Sequence, residues 1–143
     1  MVKKIWLMSV LFIVLILAGC NQRQLSADEK HKLDSLDATE TVRAYFSSGD
    51  ERIELYLSTS KERKQRKSPN FMPENERIGG VDDLTVKTGE QGQGQKDRVF
   101  SVGYISHHKS LIGESPGPRM YFAHVMQEPA TKLWKIDSVG CGP

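Results

Sequence analysis

The chain has 143 residues, with 20 Lys plus Arg against 18 Asp plus Glu, and two cysteines. A chain of this size supports one hydrophobic core and is short for two. Its formal charge of +2 is carried by Lys3 and Lys4; beyond residue 19 bases and acids balance, which removes the electrostatic argument for a nucleic-acid partner.

Lys3 and Lys4 precede an apolar run from Ile5 to Leu17, broken only by Ser9, that ends in Leu17-Ala18-Gly19-Cys20. A basic start, an apolar centre and small residues before a cut make a three-part export signal over residues 1–19. The run of about 13 residues falls short of the roughly 20 that a bilayer-spanning helix needs, so a permanent span is the lesser alternative. The last four residues resemble the bacterial lipoprotein signal. That resemblance implies cleavage between Gly19 and Cys20 and a diacylglyceryl group on the Cys20 thiol. Two acyl chains hold a protein on a bilayer where one does so only marginally. The expected location is therefore a bacterial membrane, lipid-anchored, facing the extracytoplasmic side.

Lipidation of Cys20 leaves Cys141 without a partner in the chain, in an oxidising compartment. Free cysteine is among the most buried residue types, so the expectation is a buried, inert thiol. An intermolecular disulfide or a reactive thiol are the alternatives, and a Cys20–Cys141 disulfide would compete with the lipid for one sulfur.

Residues 20–36 read as lipidated cysteine and tether. The stretch is polar and charged, with Leu25, Leu33 and Leu36 its larger apolar residues. As coil it spans about 20–24 Å root-mean-square; the leucine spacing also allows a helical extension of the domain. The α+β domain is expected over 37–143. Asp37 and Glu40 form a capping box, Val42, Tyr45 and Phe46 fall on one helical face, and Gly49 supplies a left-handed stop. Asp50 caps a second helix carrying Ile53, Tyr56 and Leu57 on one side. Lys61, Arg63, Lys64, Arg66 and Lys67 then form a basic run, read either as cations at a helix C-terminus or as a patch for anionic headgroups or wall polymers. Ser68-Pro69 and Met72-Pro73 mark an irregular connection.

After Gly79-Gly80 the period changes to alternation. Leu84 and Val86 open a first strand, with Asp82-Asp83 read as turn residues before it and an exposed turn over 89–95 after it. Val99 to His107 is the second strand, with Phe100, Val102 and Tyr104 on one face. A Gly-Pro loop covers 113–118. Arg119 to Gln127 is the third strand, with Met120, Phe122, His124 and Met126 opposite Tyr121, Ala123 and Val125; Leu133 to Val139 is the last, carrying Trp134 and Ile136. Helices first and hairpin-linked strands second predict an α+β fold: helices packed on a curved antiparallel sheet of about four strands.

The run Ala38-Thr39-Glu40-Thr41-Val42-Arg43-Ala44-Tyr45-Phe46, the basic connection, Leu133-Trp134-Lys135-Ile136-Asp137 and Gly140-Cys141-Gly142-Pro143 together resemble small bacterial lipoproteins with a nuclear-transport-factor-2-like (cystatin-like) domain. The resemblance covers about 37–143. It implies a cone-shaped domain that encloses a pocket in some members, and it spans both enzymes and non-catalytic binding modules, so it does not carry function.

The candidate chemistry is sparse. His107-His108 are strand neighbours pointing to opposite faces, without a third ligand at short spacing, so no metal is expected; no cofactor motif is present either. If Met120, Phe122 and Met126 line a cavity, His124 stands in it as an acid–base residue, with Tyr104 as hydrogen-bond donor to a carbonyl or enolate. The plainer reading is a packed, hydrogen-bonded histidine. Trp134 and the Met120/Phe122 stripe are expected as core or pocket wall in both. The favoured function is a non-enzymatic binding or accessory module whose partner is an envelope protein, an anionic polymer or a small apolar ligand. The alternative is a small pocket enzyme of isomerase or dehydratase type using His124 and Tyr104.

Overall fold

The computed structural model of the protein describes residues 24–66, 80–89, 96–107 and 116–141. The leader, the lipobox with Gly19 and Cys20, the connection containing Lys67, Ser68-Pro69 and Met72-Pro73, the turn over 90–95, His108 and the closing Gly142-Pro143 lie outside the described residues.

The folded chain starts earlier than Asp37. Helix α1, Ala27–Asp34, is opened by a reciprocal cap: Glu29 N donates to Ser26 Oγ at 3.2 Å and Ser26 N to Glu29 Oε2 at 2.7 Å, which satisfies two donors that a helix end otherwise leaves orphaned. Leu25 before the cap is buried and Leu33 packs against the core. Tyr56 Oη donates to Asp34 Oδ1 at 2.7 Å and ties down the far end. Residues 24–36 are thus the helical extension of the domain that the leucine spacing allows, in place of a coil tether.

Helix α2, Ala38–Ser47, begins with the expected box between Asp37 and Glu40 and buries Ala38, Thr41, Val42, Tyr45 and Phe46. Gly49 follows with φ 58°, a conformation that costs glycine nothing and lets the chain turn sharply. Asp50 then caps α3, Glu51–Tyr56, accepting from Arg52 N at 2.9 Å. Thr59 caps α4, Ser60–Gln65, accepting from Glu62 N at 3.2 Å.

Four strands, β1 Val81–Thr88, β2 Asp97–Ser106, β3 Gly117–Gln127 and β4 Trp134–Gly140, form one antiparallel sheet in chain order. Asp82 and Asp83 lie inside β1, at an irregularity in its pairing where Asp83 takes φ 54°, and do not form a turn ahead of the strand. The helices cover one face. Phe100, Val102 and Tyr104 of β2 meet Phe46 of α2, with the Phe46 and Tyr104 rings 6.1 Å apart. Around these lie Val42, Tyr45, Leu57, Val125 and Ile136, all 2% exposed or less.

The inward face of β3 is Tyr121, Ala123 and Val125; Met120 is 66% exposed. The expected Met120/Phe122 core stripe is therefore reversed. The register supplies the reason: Ala123 stands opposite Phe100, where its small side chain makes room for the ring, and Tyr121 stacks on Tyr104 at 5.6 Å. Trp134 is half-buried with the Arg98 guanidinium over its ring at 5.2 Å. Along the outer edge of β4 the segment between α3 and α4 runs parallel, with Ile136 N donating to Leu57 O at 2.7 Å and Thr59 N to Ile136 O at 2.9 Å. A sheet edge that would invite another chain is thereby covered.

Candidate functional site

His124 sits on the outer face of the sheet, opposite Val99 of β2 and Ser138 of β4. A carboxylate stands at each ring nitrogen. Nε2 contacts Asp97 Oδ1 from β2, and Nδ1 lies 3.3 Å from Asp137 Oδ2. Asp137 reaches this position through a β-bulge: Val125 pairs with Ile136 and His124 with Ser138, leaving Asp137 as the extra residue of β4. Bulges re-aim side chains in this way. The same carboxylate accepts from Thr59 Oγ1 at 3.1 Å and from Lys61 Nζ at 2.6 Å.

Asp97, His124, Asp137 and Lys61 thus form a polar chain across three strands and onto α4. Burial works against the Asp137 charge, but Lys61, Thr59 and His124 outweigh it and hold the carboxyl below its ordinary value. A carboxyl whose folded value is depressed stabilises the fold above its unfolded value of 3.8, and that stabilisation is lost as the pH falls through the folded value. Asp137→Asn should therefore flatten the fall in stability below about pH 4 relative to the native chain. Urea midpoints at pH 3 and pH 6 check this, and an unchanged difference between the two would refute it.

Geometry restricts what the cluster does. With Asp97 and Asp137 at opposite nitrogens of one ring, the three cannot converge on a single ion, and among the described residues no three or more His, Cys, Asp or Glu side chains gather to hold a metal. His107 Nε2 lies 2.7 Å from Asp82 Oδ2 at an exposed strand end, a pair of little energetic weight. Tyr104 is buried on the inner face, so it and His124 lie on opposite sides of the sheet. The shared acid–base cavity expected for these two side chains does not form.

The basic run is not one patch. Lys61 pairs with Asp137. Arg63 Nε and Nη2 donate to the carbonyls of Thr59 and Ser58 at 3.3 and 3.0 Å, and Lys64 is exposed. Arg66 turns inward: Nε donates to Glu62 Oε1 at 2.9 Å, and Nη2 to Glu54 Oε2 at 2.6 Å and Tyr45 Oη at 3.2 Å. Tyr45 Oη also donates to Glu62 Oε1. Burial opposes the Arg66 charge, yet Tyr45, Glu54 and Glu62 raise its pKa above the ordinary arginine value. Sequence reading gave these cations either to a helix C-terminus or to a patch for anionic headgroups or wall polymers; the overlooked signal was Glu62 inside the run, four residues before Arg66, a spacing that brings two side chains together on a helix. Cys141 is exposed and forms no disulfide among the described residues, against the expected burial.

On the helical side a shallow groove of about 290 Å³ lies where the described chain begins, with Leu25, Leu55 and Tyr56 among its walls and Lys30, Arg52 and Arg63 around it. Among the described residues no helix is long and apolar enough to cross a membrane. Comparisons of the chain with protein-family models, curated proteins and solved structures find no match.

Proposed function

We propose that the protein is an extracytoplasmic lipoprotein, held on a bacterial membrane by a diacylglyceryl group on Cys20, whose α+β domain is a non-enzymatic binding or accessory module. The observation that carries this reading is the sequence Leu17-Ala18-Gly19-Cys20 behind a basic start and an apolar run too short to span. The opposed placement of Tyr104 and His124 speaks against catalysis by that pair. A helical layer on one face of a four-stranded meander is in keeping with a nuclear-transport-factor-2-like or cystatin-like domain. The outer sheet face, with the exposed Met120 and Ile105, is the surface it offers to an envelope protein.

Cys20→Ser tests the anchor. The substituted chain should keep its leader and lose the mass of the lipid, as read by intact-mass spectrometry of the membrane fraction. A mature mass identical to that of the native protein apart from the sulfur-to-oxygen change would refute the reading.

A further inference from the structure

Gln24 and Leu25 wall the groove between α1 and α3, and only Asn21, Gln22 and Arg23 separate Gln24 from Cys20. This placement rests on the lipid-anchored reading. Four residue steps reach at most about 14 Å, and the lipid's glycerol lies at the inner boundary of a headgroup layer about 5–8 Å thick. The mouth of the groove is therefore no more than about one Debye length, roughly 8 Å, from the lipid phosphates. A flexible spacer would have let the domain turn away, but α1 is capped and hooked to Tyr56, so the short link fixes which side faces the bilayer.

That side presents two cations that no carboxylate pairs with. Lys30 and Arg63 have no carboxylate within salt-bridge distance among the described residues; Arg63 spends two nitrogens on backbone carbonyls, which leave its charge uncompensated. Arg52 is different, since Asp50 Oδ2 lies 2.6 Å from its Nη2 and Glu29 Oε1 at 3.9 Å, and it counts as neutral. Of the acids around the groove, Glu29 and Asp50 face Arg52, Asp34 accepts the Tyr56 hydroxyl, and Glu128 acts on Tyr56 beside Lys135, whose ammonium lies 4.1 Å over the Tyr56 ring. The groove that Lys30 and Arg63 line also has apolar wall from Leu25, Leu55 and Tyr56. Apolar side chains together with cations are the combination that lies at the boundary of headgroups and acyl chains.

We propose that this groove docks on anionic phospholipid of the membrane that holds the anchor, with Lys30 and Arg63 against headgroup phosphates and Leu25, Leu55 and Tyr56 toward the acyl boundary. The domain then lies on the bilayer in one orientation.

The test is amide hydrogen exchange of the membrane-extracted full-length product, reconstituted into vesicles of phosphatidylcholine alone or of phosphatidylcholine with phosphatidylglycerol. Each cation near an anionic surface contributes about fivefold. Amides of 27–34 and 51–56 should exchange on the order of tenfold more slowly in the anionic vesicles, and the difference should shrink in high salt. Lys30→Glu with Arg63→Glu should abolish the slowing. Lys30→Gln alone, which removes one of the two cations and disturbs no hydrogen bond, should halve it on a logarithmic scale, and Lys87→Glu with Lys96→Glu on the sheet side should leave it intact. Equal exchange in the two vesicle types with an acylated Cys20 overturns docking and spares the anchor. Protection that grows with protein density in both vesicle types means that a second copy covers the groove, and also overturns docking. A product without acyl mass overturns the anchor and docking together.

Discussion

Arg66→Ala should destabilise the domain by about 3–5 kcal/mol, the cost of leaving buried carboxylates without their counter-charge. The Arg66 side chain is 9% exposed, Glu54 1% and Glu62 0%. Without the guanidinium, Glu62 has no cation among the described residues, and its Oε2 already lacks a hydrogen-bonding partner there. Arg66→Lys should recover little, because one ammonium cannot reproduce the fork that reaches Glu62, Glu54 and Tyr45 from two nitrogens. Converting the set together, Arg66→Met with Glu54→Gln and Glu62→Gln, should recover more than Arg66→Lys, since no bare charge is then buried. Denaturant unfolding of the four proteins decides the matter. A cost below about 1 kcal/mol for Arg66→Ala would place the cluster in effective contact with water.

The second large effect separates the two faces of the sheet. Phe100→Ala should cost about 3–5 kcal/mol, because the ring is fully enclosed between α2 and the sheet. Phe122→Ala, one strand away and paired across to Ser101 on the outer face, should cost about 1 kcal/mol, since a half-exposed ring gives up only part of its transfer free energy. Thermal unfolding of both variants is the measurement. Equal costs would mean that the outer face is covered by something as apolar as the helices.

That pair of substitutions also shows what the sequence conveyed and what it did not. Local signals were readable: the Asp37 and Glu40 cap, the Gly49 stop and the Asp50 cap stand where spacing places them, and four strands form in the expected order, though β1 begins at Val81 and β3 at Gly117, inside stretches read as turn and loop. Each depends on atoms a few residues apart. The face of β3 was misread because both of its stripes are apolar, and the bulkier Met120, Phe122 and Met126 suggested a core. What decides is non-local: Ala123 must sit opposite Phe100, and the bulge at Asp137 must turn β4. No periodicity within β3 contains that information.

One further feature was legible but passed over. Ser26 with Glu29 three residues on is the same cap signature as Asp37 with Glu40, and would have placed α1 in the domain. The Asp97, His124 and Asp137 cluster was of another kind. Its members are 27 and 13 residues apart along the chain, and only the pairing of β2, β3 and β4 brings them together.

The strip of chain between α3 and α4 that borders β4 has a consequence for the order in which the domain is completed. Tyr56, Thr59 and Lys61 find their partners on β4 at separations of 79, 78 and 76 residues. Closing so long a loop is entropically costly and is repaid only when both ends dock. Until residues 134–140 arrive, Leu57 and Thr59 have no strand to border and Ile136 is missing from the core. The segment between α3 and α4 is therefore the part that waits for the last strand, whereas α2 already has β1, β2 and β3 to rest on.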